Sequence, residues 1–220
     1  MRRRAGVGGM TSGSDEQQGT AGGGVSTGRP RILILNAALA GAEGNTARWL
    51  ARARADLAAA AVLDEAVLAG PGAETFAGLE PRLRAADGFW LATGTHWDGW
   101  SSVLQRFLEE ATPAECTDLW LGKPAAVLVT EHSVGGKGVL SRLQGVLVTL
   151  GCCLPPCSGV VFSRSALLAR RHEPGAAEDF WGADDLGVVA RNLVLAAGRR
   201  RTDWLAWPVD RQDFNRVWVE

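Results

Sequence analysis

The residues best suited to chemistry fall in three short clusters. The first is Gly44-Asn45-Thr46, where the strand-like run Arg31–Asn36 passes through the small-residue loop Ala37-Ala38-Leu39-Ala40-Gly41 into a helical pattern. A strand that stops in such a loop and then opens a helix aims unpaired backbone N–H groups at one point. That point is also the positive end of the helix dipole, so it suits a phosphate. The second cluster is Thr93-Gly94-Thr95-His96-Trp97-Asp98-Gly99-Trp100. Aromatic rings beside glycines can stack on a flat heterocycle and keep water from it. The same two tryptophans would also suit a half-buried rim. The third is Thr130-Glu131-His132-Ser133-Val134-Gly135-Gly136-Lys137-Gly138. Closely spaced glycines let the backbone approach a ligand and adopt positive φ. Backbone groups there either read the edge of a planar ring or form a plain strand-to-helix turn.

Nothing in the sequence assembles a nucleophile or an acid–base triad. The histidines, His96, His132 and His172, lie in different contexts. The cysteines are Cys116, Cys152, Cys153 and Cys157. They lack a Cys-x-x-Cys pair, and only one distant thiol is left to complete a four-thiolate site, so no metal is expected. Reduced thiols filling core volume are the simpler reading.

These clusters need a scaffold that gathers them. From Arg31 onward strand and helix signals alternate. Strand-like runs lie at Arg31–Asn36, around Ala61–Leu63, and at Gly88–Thr93, Ala125–Thr130 and Gly159–Phe162. Helical patterns fill the gaps at Asn45–Ala58, Thr75–Ala85, Ser101–Glu110, Gly138–Leu150 and Asp184–Ala197. Apolar strands alternating with helices predict one five-stranded parallel sheet covered on both faces, a doubly wound α/β/α sandwich. The flavodoxin-like strand order 2-1-3-4-5 follows from right-handed crossovers, and ligands on such sheets bind beyond the carboxyl ends of the strands. All three clusters fall on that edge.

The rest of the chain sets limits. With 220 residues there is room for one domain at 30–200 and two extensions. Residues 1–29 are Gly-, Ser- and Thr-rich and predict a disordered tail. A net charge of −1 argues against a nucleic-acid partner. No apolar run approaches the roughly 20 residues that span a bilayer, and no signal-peptide pattern follows the basic start, so a cytoplasmic, membrane-free protein is expected. The extension 201–220 carries Trp204, Trp207, Phe214 and Trp218, too much aromatic surface to leave in water.

The order of motifs resembles the flavodoxin-like NAD(P)H-dependent FMN reductases and NAD(P)H:quinone oxidoreductases, over about Arg31 to Phe162. The Gly44-Asn45-Thr46 helix start is similar to that family's phosphate loop. Thr93-Gly-Thr-His96-Trp97, followed by Ser101-Ser102-Val-Leu-Gln-Arg-Phe, looks like its second flavin loop, where Thr-Pro-x-Tyr-Trp is common. The glycines through Gly138 match its third. The chain departs from the pattern at Ala37–Ala40, where family members often carry Ser and Arg, and at His96, which replaces the usual Tyr. Stacking then falls to Trp97 or Trp100.

The resemblance implies FMN as cofactor, NADPH or NADH as co-substrate, a flavin, quinone or similar small acceptor, and a homodimer. It implies a flavin site built from Ala38, Gly44, Asn45, Thr46, Thr93, Thr95, His96, Trp97, Asp98, Trp100, His132, Ser133, Gly135 and Gly136. No obligatory acid or base is required, because the flavin carries the chemistry. His172 lies in Arg170-Arg171-His172-Glu173, read as a charged surface loop whose arginines would at most touch a nicotinamide nucleotide phosphate. Two other classes remain: a flavodoxin-type electron carrier, which a nearly neutral chain suits poorly, and a flavin-free interaction protein on the same fold.

Overall fold

Alternate residues of the central strands are buried on opposite faces, and this single pattern builds the molecule. The computed structural model describes residues 28–172 and 180–208. Most of the tail read as disordered, together with Phe214 and Trp218, lies outside the described residues. Strands β1 (Arg31–Asn36), β2 (Val62–Val67), β3 (Gly88–Gly94), β4 (Ala125–Glu131) and β5 (Gly159–Ser163) form one parallel sheet in the order β2-β1-β3-β4-β5. The expected flavodoxin-like topology is the one observed.

Leu33 and Leu35 of β1, Phe89 and Leu91 of β3, and Val127 and Val129 of β4 pack on one face. There they meet α2 (Phe76–Ala85), α3 (Ser102–Ala111) and α4 (Gly136–Leu150). Ile32, Ile34, Trp90, Ala92, Ala126 and Leu128 point the other way, against α1 (Asn45–Ala58) and α6 (Asp185–Ala197). In α3 the buried residues Leu104, Phe107, Leu108 and Ala111 recur at helical spacing, so one stripe faces the sheet.

Two elements differ from the sequence reading. β2 runs through Val67 rather than ending near Leu63, because arginines from the flanking helices meet its charged residues, Arg82 the Asp64 carboxylate and Arg54 of α1 the Glu65 carboxylate. Arg82 of α2 donates Nε to Asp64 Oδ2 at 3.0 Å and Nη2 to the Glu65 carbonyl at 2.6 Å. The charged stretch Arg170–His172, read as loop, is the end of a helix, α5 (Arg164–His172). Ser163 Oγ accepts from the Ala166 N–H and gives that helix its start. In the C-terminal extension, Trp207 Nε1 donates to Glu115 Oε1 at 3.2 Å, and Trp204 lies so close to Gly122 that an added Cβ would sit 2.4 Å from its ring. Those two tryptophans therefore pack, in part, on the domain itself.

Candidate functional site

The loop after β1 is pinned from three sides. Asn36, fully buried at the strand end, donates Nδ2 to the Gly41 carbonyl at 3.0 Å, and its Oδ1 accepts from the Ala38 N–H at 3.2 Å. The Ala37 N–H donates to the Ala92 carbonyl at 2.8 Å. Ser101 Oγ donates to the Ala37 carbonyl and also accepts from the Leu104 N–H, so it caps α3 and ties it to this loop. Small side chains make that approach feasible. Ala37 is buried, and Gly44 sits where an added Cβ would meet Ala40 Cβ at 2.7 Å.

The helix that follows opens on a glycine. Its N-cap, Gly44, is extended at φ −77° and ψ 175°, and no side chain caps it. The first-turn N–H groups of α1 therefore point into the open. Thr46, next in the turn, is buried, with Oγ1 2.7 Å from Thr130 Oγ1 at the end of β4. Trp49 stacks face to face on Phe162 of β5, ring centroids 3.7 Å apart.

After β3 the chain makes a tight hairpin. The His96 N–H donates to the Gly99 carbonyl and the Gly99 N–H to the His96 carbonyl, at 2.8 and 2.9 Å. The two residues between them, Trp97 and Asp98, adopt φ of 49° and 58°. This is the backbone of a primed turn, which normally favours Asn-Gly, and each left-handed non-glycine residue costs of order 1–3 kcal/mol. Asp98 folds onto Gly135 of the next loop, at φ 96°, where an added Cβ would lie 2.2 Å from its Oδ1. Glycine at 135 thus lets the second and third loops close on each other. Behind it, the Glu131 carboxylate accepts from the Gly136 N–H and closes the start of α4.

These loops enclose a cleft of about 520 Å³ that also reaches the end of β5. Of the residues expected at a site, Ala38, Gly44, Asn45, Thr46, Thr95, His96 and His132 line it. Thr95 Oγ1 is buried without a hydrogen-bond partner. Thr93 is buried and engaged elsewhere, accepting at Oγ1 from the Ser101 N–H. Trp97 is wholly exposed at the hairpin tip. Trp100 belongs to an adjoining pocket of about 470 Å³ that shares Leu39 and His96 with the cleft and adds Arg142, whose guanidinium lies 6.0 Å from the Trp100 ring. Asp98, Ser133, Gly135 and Gly136 shape the loops without lining either space.

Sequence reading placed Thr130 and Glu131 in the third loop without a site role and missed Trp49, Phe162, Arg164 and Leu167; all six are on the cleft wall. Arg164 donates Nη1 to His132 Nε2 at 3.0 Å. The signal that would have found several of them is strand order. β5 neighbours β4, so the end of β5 must border the third loop.

Comparison with known proteins gives this edge of the sheet a context. Residues 30–166 match the family model for NADPH-dependent FMN reductase. Among solved structures the chain is similar to RosB with a bound 8-demethyl-8-formylriboflavin-5'-phosphate intermediate, at TM-score 0.61 and 15% identity, covering 87% of this chain and 99% of that one. A WrbA-like flavodoxin protein from Agrobacterium tumefaciens follows at TM-score 0.56 and 16% identity, with 78% and 99% covered. An NADH:FMN oxidoreductase in its apo form aligns at TM-score 0.55 and 16% identity, with 79% and 91% covered. At such identities the likeness is one of fold. No curated protein matches the chain.

Proposed function

The chain belongs to the NADPH-dependent FMN reductase family, and from that premise we propose that it passes electrons from NADPH or NADH, through FMN held in this cleft, to a flavin, quinone or similar small acceptor. The observation that carries the reading is the uncapped start of α1, opening into a cleft bounded by the loops after β1, β3 and β4.

The residues present fit FMN. Unpaired N–H groups at the first turn of α1 would hold its phosphate, with Asn45 beside them. The cleft volume falls within the range of about 300–1,000 Å³ usual for cofactor and small-ligand sites. Thr95 Oγ1 offers a buried hydroxyl with no partner inside the protein, and such groups ordinarily find one. Gly94 leaves space for the His96 imidazole, 3.2 Å from where a Cβ would stand. Bound FMN supplies the two-electron chemistry, and the chain supplies binding, orientation and exclusion of water. His96 and His132 line the cleft as walls rather than as bases. The adjoining pocket, with Trp100 and Arg142, offers a planar or anionic substrate a place beside it.

The visible spectrum of the purified protein tests this, before and after FMN and then NADPH or NADH are added without oxygen. Bands near roughly 375 and 450 nm that bleach with the nicotinamide are expected for a bound flavin reductase. Added FMN that stays unperturbed would overturn the reading. Bound flavin that neither nicotinamide reduces would make the protein an electron carrier instead.

A further inference from the structure

The loop after β1, Ala37-Ala38-Leu39-Ala40, carries no basic or hydroxyl side chain. The α1 terminus supplies partial positive charge, but no guanidinium comes from that loop. Among the described residues lining the cleft there is one lysine or arginine, Arg164, and it comes from the end of β5. We propose that Arg164 is the cation that holds the terminal phosphate of FMN against the open end of α1. This rests on the FMN reading above.

Three features place the guanidinium for that task. Thr46 of α1 meets Thr130 side chain to side chain, and Thr130 pairs with Phe162 in the sheet. Phe162 therefore lies one strand spacing, ~4.8 Å, across from Thr130, and Arg164 follows two residues later as the first residue of α5. The backbone around it is fixed. Ser163 Oγ donates to the Ser133 carbonyl at 3.3 Å, and both the N–H and Oγ of Ser165 donate to the His132 carbonyl at 3.0 and 2.9 Å. The stacked pair Trp49 and Phe162 sets α1 against β5 on the same side of the cleft.

The side chain is not paired with a carboxylate among the described residues. Arg164 is exposed, and its guanidinium meets the His132 ring at Nε2, 3.0 Å away. Arginine has only donors, so His132 Nε2 accepts in this contact and leaves the positive charge uncompensated. A phosphate dianion offers a stronger, bidentate partner.

Titration of the apoprotein with FMN and with riboflavin, which lacks the phosphate, tests the assignment through flavin fluorescence. The natural protein should prefer FMN by at least ~100-fold, since charge-assisted contacts to the phosphate are its main distinction. Arg164→Ala should weaken FMN by about 10- to 100-fold while leaving riboflavin unchanged, and should flatten the loss of FMN affinity with added salt. Arg164→Lys should recover part of the preference. An Arg164→Ala protein that keeps the FMN-to-riboflavin ratio overturns the role of Arg164 alone. A natural protein that binds neither flavin overturns the FMN reading and this assignment with it.

Discussion

Five helices follow directly on the five strands, and their first turns divide into two kinds. Thr75 caps α2, Ser101 caps α3, Glu131 closes α4 and Ser163 serves α5, each accepting from a first-turn N–H. The start of α1 has a glycine N-cap and no side-chain partner. A Ser, Thr, Asp or Asn cap is worth about 0.5–2 kcal/mol, and α1 forgoes it. On the proposed reading, the difference separates ends that serve the fold from the end left open to a ligand. A capped terminus is already neutralised, whereas an anion arriving at α1 supplies the missing cap itself. The polarity of the cleft follows, with an open dipole and Arg164 toward α1 and β5, and the Glu131 carboxylate at the start of α4.

The most fully closed end is the carboxyl terminus of α2, and it should show the largest effect. Lys123 is only 1% exposed, and its Nζ donates to the Leu83 and Arg84 carbonyls at 2.7 and 3.0 Å. Burial, with a lesser contribution from Arg200, pushes its pKa down from 10.5 to about 8. Between those values the unfolded chain binds the proton and the folded one releases it, so this group's contribution makes stability rise with pH across the window. The full span is worth up to about 3 kcal/mol. Denaturant unfolding of the natural protein and Lys123→Met at pH 7 and pH 10.5 should show the natural protein gaining on the variant at the higher pH. A gap that stays constant would mean that the two carbonyls compensate the burial of charge.

Ser101 joins a closed end to the open one. Ser101→Ala removes the cap of α3 and strands the Ala37 carbonyl, both in buried surroundings. The sum should be about 2 kcal/mol in unfolding free energy. Because the same hydroxyl holds the loop that precedes α1, FMN affinity should fall as well. A loss of stability with intact FMN binding would separate the two ends that this hydroxyl joins.

Legibility in the sequence follows the same division. β1, β3, β4 and β5 are buried on both faces, so they read as apolar runs, and their expected bounds stand within a residue of those observed. β2 lies at the sheet edge, and its Asp64 and Glu65 look unlike strand until Arg82 arrives from α2. α5 buries only Ala166, which leaves no apolar stripe to detect. At the site, glycines and strand ends marked the three loops correctly as neighbours. Phe162, Arg164 and Leu167 escaped notice because their nearness to α1 is a product of register between β4 and β5, with no local signature. The capping role of Glu131 was hidden for a related reason. A carboxylate five residues before Gly136 looks like any polar loop residue until the turn brings it back.

The finest test adds to α1 what its neighbours already have. Asn45 is the first residue of the helix, exposed, and lines the cleft. Asn45→Asp changes little in shape but places a negative charge in the first turn of an uncapped helix. With no ligand present the variant should be more stable than the natural protein, by about 0.3–1 kcal/mol, because the carboxylate meets the positive end of the dipole. The same charge would repel a phosphate, so FMN should bind more weakly while riboflavin is little affected. Stability and affinity would then move in opposite directions from one substitution. Thermal unfolding of the apoprotein and flavin titration of both proteins read the two quantities separately. If FMN affinity held while stability rose, the open end of α1 would be an ordinary gap in capping, and the phosphate would have to be sought elsewhere along the cleft.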